Sequence, residues 1–522
     1  MRSTATVSLF RALSLIALLT APSWTLADAL VTHELKHDLS SPLRELIQTA
    51  KSAKSAGSQS AQEAQPTRAP FVSSQSDPAA STPSGPLGVS LGLNFDGISA
   101  QDTVASGGPF VPPDTNGAVG ATQFVQWVNV TFEVYDKTTG ATVMGPTPGN
   151  AFWAGFGGPC ETRNDGDIII QYDKAAGRWI AAQPVFVSPF MYCLAVSTTS
   201  DATGSYHRYA FQFPAGDFPD YPKLGVWPDA YYATFNIFAP KFAGAMACAY
   251  DRAKMLAGAA ATSVCFQQPS NVSSLLPSDL DSKLGPPAGA PNFMLGLADA
   301  TDLFFFKFHV DFANPANSTF TGPLLIPVAP FSEICNRSKT LACIPEPPPG
   351  QKVDAISDRL MYRLAYRNFG DHEAVVANHT VAGGALAGVR WYEIRNPSTA
   401  PSVFQQGTVV TQDVNFWMGS IAMDKAGDVA LGFSASSASL DPSVEIVGRT
   451  PTDPAGDMTG PVTVAVGTGV QQSSFHRWGD YSSMAIDPQD GCTLWYTQEY
   501  YLASGNFNWS TRITSFKFNS CK

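Results

Sequence analysis

From about residue 89 to the C-terminus, apolar and polar side chains alternate in short runs, and tight turns carrying Asp and Gly separate the runs. A period of two is the mark of a strand with one packed face. The pattern is clearest near the end of the chain. GSIAMDKAGDVALGFSAS (419–436) and DYSSMAIDPQDGCTLWYTQEY (480–500) each close a first strand on Asp424 or Asp487, then turn through Gly427 or Gly491 into a second strand. Asp bonds its own turn backbone and Gly supplies positive φ, so hairpins recur in these residues. DGDIIIQYDKAAGRWIAAQ (165–183) is a third copy, with Asp173 and Gly177. Weaker copies start at 114 (DTNGAVGATQFVQWVNV), 221 (YPKLGVWPDAYYATFNIF), 291 (PNFMLGLADATDLFFFKFHV) and 371 (DHEAVVANHTV, returning through GVRWYEIR at 388).

The copies between Asp114 and Asp480 are spaced about 61 residues apart on average, against roughly 40–50 for compact propeller repeats. Each step has room for four strands and one long loop. The expected fold is therefore all-β, a seven-bladed β-propeller with four-stranded antiparallel blades. The C-terminal strand TRITSFKF (511–518) would be completed by an N-terminal strand at VSLGLNF (89–95), which closes the ring and protects its edges. A pair of β-sandwiches is the alternative, and it leaves the repeated pattern unexplained.

The N-terminus reads differently. Arg2 and Arg11 flank or precede the apolar run Ala12–Leu19, and Thr25-Leu26-Ala27 follows, so residues 1–27 are expected to be a secretory signal peptide, cut after Ala27 or Ala29. The apolar run is too short to span a bilayer, and no later stretch qualifies as a transmembrane segment. Residues 28–88 hold one amphipathic run, Leu43–Ala53, and then turn to Ala, Ser, Gln and Pro. They are expected to be a disordered pro-segment or linker, with the folded domain spanning 89–522.

Composition narrows the class. With 40 Pro, 43 Gly and only 14% charged residues, the chain is a poor candidate for a helical bundle. The 32 Lys and Arg against 43 acids, a net charge of -11, argue against nucleic acid as a partner. All eight cysteines lie beyond the signal, none in a CxxC or zinc spacing. Four disulfides are expected, with neighbours paired by preference (160–193, 248–265, 335–343, 492–521) among the 105 possible connectivities. The expected location is extracellular or periplasmic, and the expected state is a monomer.

The order PPDTNGAVG, NDGD, YPKLGVWPDAYY, RNFGDHE, MGSIAMD and RWGDYSSM resembles a group of uncharacterised secreted bacterial proteins across roughly 111–521. More distantly the chain is similar to sialidase-type and BNR-type propellers: AIDPQDGCTLW (485–495) partly echoes the Asp-box order S-x-D-x-G-x-T-W. The resemblance implies a fold and a location. No sialidase arginine triad can be assigned from it, and it carries over no catalytic residue.

In a propeller the segments leading into each blade's first strand converge at one mouth of the channel. Those segments supply Asp114, Asn116, Asp165, Asp167, Asp220, Tyr221, Lys223, Asn292, Asn368, Asp371, His372, Glu373, Trp417, His476, Arg477, Trp478, Asp480 and Tyr481. Glycan hydrolysis needs two carboxyl groups across the scissile bond, one held protonated. A lyase needs a Tyr or His base beside a cation that neutralises a uronate. Asp371, Glu373, His372, Tyr481 and Asp167 are accordingly the expected catalytic groups. Arg477, Trp478, Asp480, Lys223, Trp417 and Tyr221 are expected to bind substrate. Asp165 and Asp114 sit in oxygen-rich clusters (164–167, 114–117) that suit Ca²⁺, though neither completes a calcium loop; no other cofactor is expected. Each residue also has a purely structural reading: Gly-Asp pairs cap turns, Trp417 and Trp478 fill space between blades, and His207, His309 and His379 belong to strands.

Two catalytic patterns match by letter only. HELKH (33–37) fits H-E-x-x-H but lies in the poorly packed N-terminal segment, and GVSLG (88–92) fits G-x-S-x-G with no helix after it. The leading expectation is a secreted propeller acting on an extracellular polysaccharide, hydrolase ahead of lyase. The competing one is a non-catalytic glycan- or surface-binding propeller.

Overall fold

The computed structural model describes residues 28–49, 68–335 and 341–522. The expected signal peptide and the middle of the expected linker lie outside the described residues. The fold is mostly β, as the alternation requires. In the first sheet Thr115–Val119, Gln123–Val128, Thr131–Asp136 and Thr142–Pro148 follow in order. The next two repeat that plan with Ile169–Asp173, Arg178–Val185, Met191–Ser197 and Tyr206–Gln212, then Phe218–Val226, Ala230–Phe238, Phe242–Asp251 and Thr262–Gln267.

A nine-stranded sheet holds two further four-strand runs, which start at Leu276–Leu280 and Met361–Asn368. These two first strands pair in parallel, Ser278 opposite Leu364. Asn415–Met423 opens another four-stranded sheet, which ends at Thr459–Ala465. Ser483–Ile486, Thr493–Tyr500 and Ser510–Phe518 form the last, and Val89–Asp96 adds antiparallel to Ser510–Phe518 as its outermost strand.

The first strands pack on one another in chain order, and Ser483–Ile486 packs back against Thr115–Val119. They are buried on both faces: Thr115–Val119, Ile169–Asp173 and Asn415–Met423 are buried at every position. Outermost strands instead alternate or face solvent, as in Thr142–Pro148. Interiors between sheets are heavily aromatic, with Trp127, Phe132 and Phe152 in mutual contact. All four disulfides join the preferred sequence neighbours. Among the described residues no helix is long and apolar enough to cross a membrane, and the disulfides are consistent with secretion.

The expectation of a loose segment over 28–88 needs correction where that segment is described. Leu30–His33 pairs with Thr262–Gln267 and Lys36–Leu39 with Tyr206–Gln212, so two consecutive short strands cover the outer edges of two different sheets. Leu43, at the start of the helix Leu43–Thr49, is fully buried. Ala80–Ser81 pairs in parallel with Ser402–Val409, and the Asp77 carboxylate there accepts from the Arg390 guanidinium and from Thr408 Oγ1 (2.7 Å). Edge pairing uses backbone groups, so polar sequences such as KHDL can supply it. These strands also remove the zinc reading of HELKH: His33 and His37 lie on two separate strands, His37 Nδ1 bonds Glu34 Oε1 (2.9 Å) in the connection between them, and no helix presents the two histidines on one face.

Two repeat copies were out of phase. Asn292–Leu297 is a second strand, and Asp371 lies on the turn between the first strand Met361–Asn368 and the second, Glu373–Gly383. The true first strands there read LPSDL and MYRLAYRN, which lack clean alternation.

Among the described residues, Thr142–Pro148, Thr319–Pro327 and Thr459–Ala465 have no strand on their outer sides. All three carry a Gly-Pro pair: Gly145-Pro146, Gly322-Pro323 and Gly460-Pro461. The glycines adopt φ of 111°, 127° and 113°, where an added Cβ at Gly145 or Gly322 would lie under 3.0 Å from the partner strand's carbonyl oxygen.

Candidate functional site

The segments leading into the first strands share a local device. Asp114, Asp167, Tyr221 and Met418 have φ of 49°, 51°, 54° and 55°, each just before or within the first strand of a different sheet. Left-handed backbone is costly for residues with a side chain, least so for Asp. Its recurrence at matched positions means that the surrounding packing holds each kink, and the kinks bring polar groups of several sheets together.

Asp114, Asp167 and Asp480 meet in this way. One carboxylate oxygen from each lies within 4.8 Å of the others. Asp114 Oδ1 accepts from Asp480 N (3.0 Å) and its Oδ2 from Asn129 Nδ2 (3.3 Å). Arg477 bonds Asp480 and places its Nε 2.8 Å from Asp354. Burial, then the charges of Asp480 and Asp167, hold the Asp114 carboxyl well above the usual carboxylate range. Burial and Asp480 push Asp167 up to about 6, against the pull of Lys223 and Arg477. Asp220 is raised too, by burial and then by Asp167 and Asp480.

Lys223 is fully buried and donates to the Pro222 carbonyl (2.9 Å), its ammonium over the rings of Tyr221 (3.3 Å) and Tyr481 (4.2 Å). Desolvation lowers its pKa to about 8.

Next to this cluster, and sharing Asp354 with it through Arg477, lies a cavity of about 100 Å³ lined by Arg68, Glu333, Asp354 and Asp358 among others. Arg68 reaches Glu333 Oε1 (2.5 Å) and the Asp358 carbonyl (2.8 Å). Arg359 forks onto the Asp358 carboxylate through Nε (2.9 Å) and Nη2 (3.1 Å). Burial and then the charge of Glu333 push Asp358 up to about 7, against the pull of Arg68. Glu333 is also raised by burial, with Arg68 pulling the other way.

The structure distributes the sequence-predicted residues unevenly. Asp114, Asp167, Asp220, Tyr221, Lys223, Arg477, Asp480 and Tyr481 come together. Asp371, His372 and Glu373 do not join them, because they follow their first strand instead of preceding it and so lie at its far end. The Asp371 side chain is 83% exposed beside His372, and Glu373 accepts from Tyr366 Oη (2.6 Å) and Ser398 Oγ (2.7 Å). Trp417 and Trp478 are wholly buried, their rings 5.4 Å apart, and offer no face to a sugar. Asp165 is paired with Arg163 (2.8 Å) and accepts from Phe186 N (2.9 Å), outside the carboxylate trio.

Sequence reading missed Glu333, Asp354, Asp358, Arg359 and the buried Glu499. The run Asp354 to Arg359 stands before MYRLAYRN in the position that Asp114 holds before its own strand. Recognising MYRLAYRN as a first strand would have exposed it.

No family model matches the chain, and no curated protein does. Among solved structures it is similar to an alpha-L-arabinanase of Penicillium chrysogenum complexed with arabinobiose, at 8% identity over 83% of this chain and 100% of that one, with a TM-score of 0.35. The WD40 domain of SCAP from fission yeast matches at 7% identity over 76% and 82%, TM-score 0.34. An alpha-L-arabinofuranosidase of Fusarium graminearum matches at 8% over 78% and 95%, TM-score 0.33. At such identities and scores the chemistry of this chain has to be argued from its own residues.

Proposed function

We propose that the chain is a secreted, closed seven-bladed β-propeller that hydrolyses an extracellular polysaccharide at the channel mouth. The observation that carries this reading is the cavity where burial and the charge of Glu333 raise the affinity of the Asp358 carboxyl for a proton, and where burial raises that of Glu333 itself. Two coupled carboxyl groups that hold one proton near neutrality supply an acid and a base together. In hydrolysis the protonated member donates to the departing glycosidic oxygen. The ionised member takes a proton from the attacking water or attacks the sugar itself. Arg359 and Arg68 orient the two groups, and Asp354, held by Arg477, completes the wall.

The sheet order supports the ring. The four-strand runs succeed one another, their first strands pack in sequence, and Val89–Asp96 supplies the outer strand of the last run. A lyase is less well supported. His372 stands away from Tyr481 and Lys223, and burial raises the Tyr481 phenol well above its ordinary range. The competing reading, a non-catalytic glycan-binding propeller, is favoured by one feature: Glu333, Asp354 and Asp358 each already have an arginine partner, as structural carboxylates do.

A panel of polysaccharides assayed for new reducing ends, and for absorbance of unsaturated uronates, tests the reading. Turnover is expected on at least one polymer, with Asp358→Asn and Glu333→Gln each losing about 100-fold or more while keeping the fold. Unsaturated products would turn the reading to a lyase. Binding without turnover would turn it to the binding module, and neither binding nor turnover on any polymer would end it.

A further inference from the structure

We propose that Asp114, Asp167 and Asp480 form a calcium site, with Tyr481 as a fourth oxygen. Two oxygens on one Ca²⁺, each at about 2.4 Å, can be no more than about 4.8 Å apart. The three carboxylate oxygens meet that limit pairwise, and they come from segments leading into three different sheets.

An acidic cluster alone would not suffice, and two further groups point to a missing partner. Tyr481 is wholly buried and its hydroxyl has no hydrogen-bond partner, although it lies in the field of Asp167, Asp114 and Asp480. Glu499 is 1% exposed with neither carboxylate oxygen bonded, close to Gly479 and in the field of Asp114. A buried oxygen without a donor is costly, and a hard cation satisfies several at once.

Charge leads to the same conclusion. Asp114, Asp167, Asp220, Asp354, Asp480 and Glu499 gather around Lys223, Arg359 and Arg477, so carboxylates outnumber cations two to one. Arg477 is engaged by Asp480 and Asp354, and Lys223 donates to a carbonyl. Nitrogen and sulfur ligands are absent from the trio, which favours calcium over zinc or copper. The site differs from the one expected at Asp165: Asp114 stays, and Asp167 and Asp480 take the place of Asp165.

The test uses the purified secreted chain, stripped with EDTA and desalted. Elemental analysis after re-equilibration in CaCl₂ should find about one tightly held Ca²⁺ per chain, and the melting temperature should rise saturably with CaCl₂. Asp167→Asn should weaken binding about tenfold or more with an unchanged circular dichroism spectrum; Asp371→Asn should bind as the wild type does. Parallel titrations with MgCl₂ and MnCl₂ test the choice of ion, and tighter binding of either overturns it. Wild-type chain that retains no calcium and shows no melting shift overturns the site, whether or not any variant folds. Full calcium retention in Asp167→Asn overturns it equally.

Discussion

Asp424 shows at a single residue how burial turns an ordinary turn carboxylate into a proton reservoir. Its Oδ1 caps the turn by accepting from Ala426 N (2.8 Å) and Asp428 N (3.1 Å), while burial and the neighbouring Asp428 push its pKa up to about 7. A carboxyl raised in the folded state holds its proton more tightly there than in the unfolded chain. Its contribution to stability is therefore complete below about pH 4 and is lost as pH rises through 7. Glu346, at about 8, acts in the same direction. Stability in urea should thus fall between about pH 4 and pH 8, and Asp424→Asn, which cannot ionise, should make that fall shallower; an unchanged slope would show that Asp424 titrates normally. The turn role of Asp424 was legible in IAMDKAGD because Asp and Gly mark hairpins locally. Its shifted pKa was not legible, since Asp428 and burial act through space. The same limit applies to Trp478, whose buried indole donates to Ser434 Oγ (3.0 Å): its letter suits a sugar platform and a packing wedge equally.

Strands that alternate were legible, and strands that are buried on both faces were less so. GSIAMD and SSMAID were placed correctly because their turns are strong. LPSDL and MYRLAYRN were missed as first strands, since a Pro and four charged or amide groups break the expected pattern. What compensates these polar groups is distant in sequence: Arg363 pairs with Asp279 (2.7 Å) and Asp281, and donates to the Met484 carbonyl (2.8 Å). The added N-terminal strands differ in depth, and that sets an order for truncations. Removing residues 89–96 exposes the edge of Ser510–Phe518 along most of its length. Removing 28–49 uncovers four residue pairs on each of two edges and takes Leu43 out of a core. Both deletions should lower the melting temperature, the first by more, as measured by differential scanning calorimetry; a 28–49 deletion that melts like the full chain would show the two added strands to be dispensable.

At the scale of the whole molecule, among the described residues, four strands that end a four-strand run are covered by chain from the N-terminal region, and three are not. The three uncovered ones are those that carry Gly-Pro, while Tyr206–Gln212, Thr262–Gln267, Ser402–Val409 and Ser510–Phe518, which receive a partner, contain no proline. Proline has no N–H to offer, and the left-handed glycine before it bends the edge out of line. A neighbouring molecule that tried to dock a strand there would find an interrupted ladder. Replacing Pro146, Pro323 and Pro461 together by Thr should restore continuous donors, and concentrated samples should then show rising light scattering and thioflavin fluorescence that the parent lacks. Parent and variant scattering alike would mean that the prolines serve only local geometry. Propagation from molecule to molecule is thus restrained at these three margins by three imino acids, and the four runs without this protection are those where the protein supplies the added strand itself.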